Sequence, residues 1–490
     1  MRPLLLGAIV LPALLLPGRA ARASAQLTSG TKDVRVENGA VLKVEAGELE
    51  VPESRRRPTA RRVTIPYYRL RSESPTPASA IFLLAGGPGT SWLDLVTNDE
   101  NFREVAFYRT VADVVLFDQR GGGHARPAMS CPQTVHVAAG QLPDPAALYA
   151  ALRPALIQCR DHWLREGVDL AAYNTVESAA DIDDLRRALG YRRVTLVGGS
   201  YGSHLALQFM RQYPDAVDRV VMFGIEGPDH TWDNPSGMLA TLGRLAAEAE
   251  QAPELAAHIP AGGLLKALER VIAHLDSVPR TVLVPRGADT IPVLVTGDAI
   301  RGLARSGAGN RGAPNAWPDA ILALDRGDFS QVAQSAARAR DVDLANPMHY
   351  SMDCSSGISD ERQQRYRGDP ATALLGDINV EYATLCDLWP TEELGDSYRV
   401  NVVSDIPAVI FHGTLDMSTP IENAREVVSS LRNGQLVEVV GGNHGALYNL
   451  YERWPPMHRM LGEFLSGRRV EFPTRVVDTR EVKFRAPRGR

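Results

Sequence analysis

The chain has 490 residues, of which 44% are hydrophobic, 23% charged and 6% aromatic, a balance that excludes disorder over most of its length. The 42 glycines and 33 prolines fall without period, which excludes collagen and coiled coil. With 53 basic against 58 acidic residues the net charge is −5, and no electrostatic footprint of a nucleic-acid binder is present.

In chain order, the N-terminus reads as an address. Met1–Arg2 opens a short basic region, and Leu4 to Leu16 is an apolar run broken by Pro12, shorter than the ~20 residues that span a bilayer. Ala23-Ser24-Ala25 fits a cleavage site, so residues 1–25 are expected to be a signal peptide removed before Gln26. The mature protein is then exported, periplasmic or secreted, with no membrane association beyond export. In an oxidising compartment the four cysteines are expected to pair, and three pairings are possible. Short loops close most readily, which favours Cys131 with Cys159 and Cys354 with Cys386; free buried thiols are the alternative. Neither pair has the C-x-x-C spacing of a zinc site. The basic cluster Arg485 to Arg490 reads as a solvated tail.

Glu48–Val51 and Arg62–Leu70 alternate and carry Pro52 and Pro66, which reads as a pair of edge strands. Six short apolar runs without alternation follow: Ala80–Leu84, Val111–Phe117, Val194–Val197, Val220–Phe223, Ala408–Phe411 and Leu436–Val440. Runs of that kind are strands buried on both faces, and the helical stretches between them (Ala179–Leu189, His204–Tyr213) imply a mostly parallel sheet flanked by helices. Between Gly227 and Asp405 the strand rhythm stops, and Met238–Ala249, Gly263–Leu275 and Trp317–Arg326 read as helices. The expected organisation is therefore a core of class α/β in two parts, 26–226 and 406–490, with a large, mainly helical cap inserted at 227–405.

Gly198-Gly199-Ser200-Tyr201-Gly202 is a G-x-S-x-G motif between a buried strand and a helix, the setting of a nucleophile elbow in the α/β-hydrolase fold. A serine nucleophile needs a base, and the base needs an orienting acid. His444 lies in Gly441-Gly442-Asn443-His444-Gly445 and Asp416 in His412-Gly413-Thr414-Leu415-Asp416, each in a loop after a predicted strand. Their order, Ser200, Asp416, His444, is the one this fold uses, and Ser200, Asp416 and His444 are the expected catalytic triad. Gly86-Gly87-Pro88-Gly89 follows the first buried strand; the N–H groups of Gly87 and Tyr201 are the expected oxyanion hole. No Gly-Lys-Ser/Thr follows the glycines, which excludes a phosphate loop.

With Asp118-Gln119-Arg120-Gly121, these motifs resemble the proline iminopeptidase and tripeptidyl aminopeptidase branch of the α/β-hydrolases. Glu48–Glu53, Asp183–Tyr191 and His349-Tyr350-Ser351-Met352 before Cys354 resemble its secreted members. The resemblance implies removal of N-terminal residues from short peptides through an acyl-enzyme, with no metal or other cofactor, and Asp118 and Arg120 in structural roles. An aminopeptidase must also hold a cationic amine with a carboxylate. The family often has acidic residues just after the cysteine corresponding to Cys354, where this chain has Ser355 and Ser356. Glu226 and Asp229 are the expected substitutes, with Asp353 behind them. The expected partners are short peptides, acted on by a monomer. An esterase or amidase with the same triad is the second reading, and a non-catalytic binding protein on this scaffold the third.

Overall fold

The computed structural model describes residues 26–57, 61–142, 144–307, 316–478 and 484. The expected signal peptide, residues 1–25, and the basic run 485–490 lie outside the described residues. Ten strands form the central sheet: β1 (Gln26–Arg35), β2 (Val41–Pro52), β3 (Arg62–Leu70), β4 (Ile81–Leu84), β5 (Val114–Phe117), β7 (Val194–Ser200), β8 (Val217–Ile225), β12 (Ala408–Gly413), β13 (Gly434–Val440) and β14 (Arg475–Val477). Their order is β1-β2-β3-β5-β4-β7-β8-β12-β13-β14. The first three and β5 pair antiparallel, and everything from β5 to β14 pairs parallel.

The apolar runs behave as two-faced strands. In β4, Phe82 and Leu84 join one hydrophobic layer while Ile81 and Leu83 join the other, and all four side chains are buried. Helices Thr175–Ala188 and Tyr201–Gln212 cover the first layer with Ile182, Leu205 and Phe209; Ala446–Arg453 and Met457–Leu465 cover the second with Leu450 and Phe464. An all-parallel stretch needs this double cover, because neither face meets water.

The edge-strand expectation for Glu48–Val51 and Arg62–Leu70 is corrected. β2 lies between β1 and β3, and β3 between β2 and β5; β1 is the edge. Pro66 is tolerated inside the sheet because of the side its nitrogen faces. Thr64 exchanges both backbone hydrogen bonds with Arg126, on the side of β3 away from β2, and Pro66 has the same orientation two residues on. Its carbonyl accepts from Asp118 N–H there at 3.2 Å, and no bond to β2 is lost.

Between β8 and β12 the chain is mostly helical, but not wholly so. A hairpin, β9 (Arg280–Arg286) with β10 (Asp289–Val295), turns at Gly287-Ala288. A short strand β11 (Arg340–Asp343) reaches back to pair with β6 (Thr134–Val137) from the first part of the core. Helices Pro235–Glu250, Gly263–Ser277 and Ala316–Asp325 pack their apolar faces together, with Leu242, Leu268 and Ile321 fully buried among them. The disulfides Cys131–Cys159 and Cys354–Cys386 are both formed. No helix among the described residues is long and apolar enough to cross a membrane.

Candidate active site

β7 runs straight into the helix Tyr201–Gln212, and Ser200 stands at the junction with φ 54°. Among the described residues it is the one non-glycine with positive φ. Such a conformation is costly for a residue with a Cβ and persists only where its surroundings enforce it. Here the enforcement is close packing on both sides. A Cβ on Gly198 would sit 2.3 Å from the Gly202 carbonyl oxygen, and one on Gly202 would sit 2.2 Å from the Leu84 carbonyl oxygen. Strand, turn and helix approach each other at distances that only glycine allows.

The glycine-rich loop after β4 closes against this turn. A Cβ on Gly86 would lie 3.1 Å from Ser200 Cβ and 3.7 Å from its Oγ, so Gly87 is held next to the elbow. Two neighbours of the loop anchor it from below. Gln119 Nε2 donates to the Ala85 carbonyl at 2.8 Å, and Asp118 accepts from Ser91 Oγ at 2.9 Å and from His124 N–H at 2.8 Å. Arg120 is fully buried, forked onto Asp181 at 2.7 Å through both Nε and Nη2, with Nη1 on the carbonyls of Glu53 and Ala172. The Tyr201 side chain is buried, its hydroxyl 2.9 Å from Thr175 Oγ1.

Asp416 and His444 come from loops after adjacent parallel strands, β12 and β13, and meet with Oδ2 2.8 Å from Nδ1. Asp416 is almost completely buried, which by itself raises a carboxyl pKa; His444, His412 and the Thr419 N–H outweigh burial and hold it below the ordinary value. His444 lies over Gly224 of β8, where a Cβ would come 2.8 Å from the imidazole Cε1. The neighbouring residue, Ile225, is the one that pairs with Ser200 in the β7–β8 register. The three expected triad residues are thus gathered on the same edge of the sheet, at the carboxyl ends of β7, β12 and β13.

Thr419 and His412 belong to this assembly: His412 opens the acid-loop motif without a role having been assigned to it, and no motif pointed to Thr419. Thr419 Oγ1 donates to Asp416 Oδ2 at 2.7 Å and lies 3.3 Å from His444 Nδ1, while its N–H donates to Asp416 Oδ1 at 3.0 Å. Buried His412 donates from Nε2 to the Thr419 carbonyl at 2.6 Å and accepts from the Ile225 N–H at Nδ1, 3.2 Å away. Burial lowers its pKa and keeps it in this neutral form.

A second group of charges lies one step from the elbow. Ser203 Oγ donates to the Ser200 carbonyl at 2.6 Å and accepts from the Glu226 N–H at 2.9 Å. Glu226 stands beside Asp233 and Asp353, and burial together with these like charges pushes its pKa far above the usual carboxylate range. Burial, with Asp353 and Glu381 as like charges, brings Asp233 to about 7. His349 Nδ1 is 2.8 Å from Asp353 Oδ2, and its Nε2 is 3.6 Å from Glu381 Oε1. Burial disfavours the imidazolium, but the two carboxylates more than offset it, and the His349 pKa is well above normal. Trp232 stacks on Tyr382, with centroids 5.8 Å apart, at the side of this cluster. Asp229 does not join it, which corrects that expectation. Its carboxylate accepts from the N–H of Ser359 at 2.8 Å and the Oγ of Ser359 at 2.6 Å, and pairs with Arg362 Nε at 3.0 Å. A carboxylate with three internal donors has little left for a substrate.

Residues 79–253 match the family model described as alpha/beta hydrolase fold, and residues 372–458 match the one described as TAP-like protein. The chain has the α/β-hydrolase fold, and its C-terminal part carries a TAP-like segment. Over 202 residues it is 29% identical to a tripeptidyl aminopeptidase of Streptomyces lividans, covering 39% of this chain and 37% of that one. It is 21% identical over 387 residues to the putative hydrolase YuaR of Escherichia coli (strain K12), 74% of this chain and 73% of that protein. A proline iminopeptidase of Xylella fastidiosa (strain 9a5c) is 28% identical over 145 residues, 30% of this chain and 32% of that one. The chain therefore aligns with little more than a third of the length of this tripeptidyl aminopeptidase.

Proposed function

We propose that this protein is an exported serine aminopeptidase that releases N-terminal residues from short peptides. Ser200 Oγ attacks the scissile carbonyl, His444 takes its proton and returns it to the leaving amine, and Asp416 fixes the imidazole tautomer and balances the imidazolium. The N–H groups of Gly87 and Tyr201 receive the developing oxyanion. Water then releases the acyl group by the same steps in reverse roles.

One observation carries the exopeptidase part of the reading. Glu226, Asp233, Asp353 and Glu381 converge with one imidazolium, His349, and with Arg305 as a weaker countercharge to Asp233. The Glu226 N–H is joined to the Ser200 carbonyl through one hydroxyl, that of Ser203. Like charges held together without enough counter-charge are expensive, and a substrate ammonium is the missing partner. Residues 227–405 act as a cap in this proposal, since they contribute Asp233, Asp353 and Glu381 and restrict the site to short chains. Export is supported by the two disulfides, which persist in oxidising compartments.

The test is a set of initial rates on Pro-, Ala- and tripeptidyl-amides, their N-acetylated forms, and a short-chain p-nitrophenyl ester, with Ser200→Ala as blank. Cleavage of free-amine peptides that acetylation abolishes is the expected result. Turnover of the ester alone, or indifference to acetylation, would make the protein an esterase or amidase. Rapid cleavage of intact casein would refute the role given to the cap.

A further inference from the structure

The two disulfides occupy different surroundings. Cys131–Cys159 fastens the helix Pro145–Arg165 to the chain after β5, and Cys159 is 1% exposed. Cys354–Cys386 lies at the acidic cluster. Cys354 directly follows Asp353 in the helix Pro347–Ser356, which also carries His349. Cys386 directly follows the helix Val380–Leu385, which carries Glu381 and Tyr382. The bond therefore joins the two helices that supply half of the carboxylates, with their Cα atoms 5.3 Å apart at the crosslink.

Non-covalent contacts between these helices at the cluster are long. Tyr382 Oη reaches Asp353 Oδ2 at 3.5 Å, and His349 Nε2 reaches Glu381 Oε1 at 3.6 Å. Against them stands the mutual repulsion of Asp353 and Glu381, one on each helix, which the His349 imidazolium offsets, with Tyr149 Oη donating to Glu381 at 2.9 Å. A group of like charges is a poor device for setting its own spacing, whereas capture of an ammonium at a fixed distance from the nucleophile demands an accurate one. A covalent link one residue from Asp353 supplies that spacing.

We propose that the Cys354–Cys386 bond is a specificity-determining crosslink. It holds Asp353 and Glu381 in register for a substrate ammonium, and opening it weakens the capture of free-amine peptides without disabling acyl transfer at Ser200. This rests on the aminopeptidase reading above. Cys354 and Cys386 are both half-buried, so a reductant can reach this bond; in the other bond Cys131 is half-buried and Cys159 is buried. A dithiol opens it by exchange: the reagent gives two electrons and two protons, Cys354 and Cys386 become thiols, and the reagent closes to its cyclic disulfide.

The experiment compares the wild type with Cys354→Ala/Cys386→Ala and Cys131→Ala/Cys159→Ala on a free-amine tripeptidyl amide and a p-nitrophenyl ester. For the Cys354→Ala/Cys386→Ala protein, KM for the amide rises about tenfold, while its kcat and the ester rate stay within about twofold. The Cys131→Ala/Cys159→Ala protein keeps the amide-to-ester ratio of the wild type. Should the first variant fail to fold, the wild type is treated with dithiothreitol and its free thiols are located by mass spectrometry. The amide-to-ester ratio then falls in step with the Cys354 and Cys386 thiols and recovers on reoxidation. An unchanged ratio with that bond open, or amide and ester rates falling together, overturns the proposal. Failure of the amine site itself is seen separately, as an untreated wild type indifferent to N-acetylation, and it removes the basis for the crosslink as well.

Discussion

The Thr419 hydroxyl offers a direct test of how Asp416 and His444 are held. Thr419→Val removes one oxygen and keeps the shape. Asp416 then loses the 2.7 Å bond at Oδ2, the oxygen that also faces His444 Nδ1, while the Thr419 N–H on Oδ1 remains. A hydrogen bond from a neutral donor to a buried carboxylate is worth about 1.5–3 kcal/mol. If all of it were lost in the transition state, kcat would fall by a factor of about 10 to 150. Two of the three donors on Asp416 survive, and His412 still grips the Thr419 carbonyl, so the lower end applies: about 10- to 30-fold in kcat. KM changes by less than about twofold, because the hydroxyl touches no substrate. Thr419→Ser restores most of the rate. The loss also moves the acid limb of stability. Asp416 has a folded pKa below its unfolded value, so its contribution is present above that unfolded value and is lost as pH falls through the folded one. With one donor gone, the folded value moves up toward the unfolded one, so the contribution is smaller and its loss is complete at a higher pH. Stopped-flow or steady-state kinetics on a free-amine amide, with acid titration of the fold by circular dichroism, measure both effects. A Thr419→Val enzyme with wild-type kcat, or one whose whole defect is in KM, refutes the reasoning.

Glu226→Gln and Asp353→Asn each raise KM for free-amine peptides by about tenfold and leave ester hydrolysis unchanged, as expected for loss of one charge-assisted bond; equal effects on both substrates would contradict the assignment. Asp233 titrates at about 7, so kcat/KM for the amine substrate rises through that pH, then falls as the substrate amine loses its proton near pH 8, and a pH profile flat from 6 to 9 would count against the cluster. Gly224→Ala pushes a methyl group to 2.8 Å from His444 Cε1 and lowers kcat by about a hundredfold while melting within a few degrees of the wild type; full activity would mean that the imidazole sits elsewhere. Glu104 is buried, donates nothing from Oε2 to any neighbour, and burial raises its pKa to about 8. Its folded pKa exceeds the unfolded one, so its stabilising effect is complete below about 4.5 and gone above about 8; Glu104→Gln therefore melts higher than the wild type at pH 9, and a lower melting temperature there would refute this.

Much of the fold was legible because a strand buried on both faces leaves an unambiguous trace. All six apolar runs became strands of the sheet, since nothing but an apolar residue fits a position covered by helices above and below. The strands that escaped notice lie where that constraint lapses. β1 is the sheet edge and carries Lys32, Asp33 and Arg35 toward water. The β9–β10 hairpin buries only one face, through Val284, Val293 and Val295, and leaves Leu283 64% exposed. Pro66 misled for a related reason. A proline's missing donor matters only on the side it faces, and pattern alone does not say which side that is.

The site divides along the same line. Ser200 and its glycines are neighbours in sequence, because an elbow is a local structure, and they could be recognised together. Asp416 and His444 are each one loop beyond a strand, so the order of strands located them. The acidic cluster has no such grammar. Glu226 and Asp233 leave β8, while Asp353 and Glu381 belong to two helices far along the insertion, and only the folded chain brings the four together. Glu226 was singled out because it leaves a core strand, which is a positional argument; Asp229, three residues on, satisfied the same argument and turned instead to Ser359 and Arg362. What separates the two carboxylates is the number of donors each finds nearby. Asp229 has three, whereas the Glu226 carboxylate has His204 Nδ1 at 3.5 Å, and that nitrogen already makes a 3.0 Å bond to the Gly227 carbonyl. A carboxylate so short of donors, on the residue that Ser203 ties to the Ser200 backbone, is a demand for a ligand, and the shortage that creates it is set by residues more than a hundred positions away.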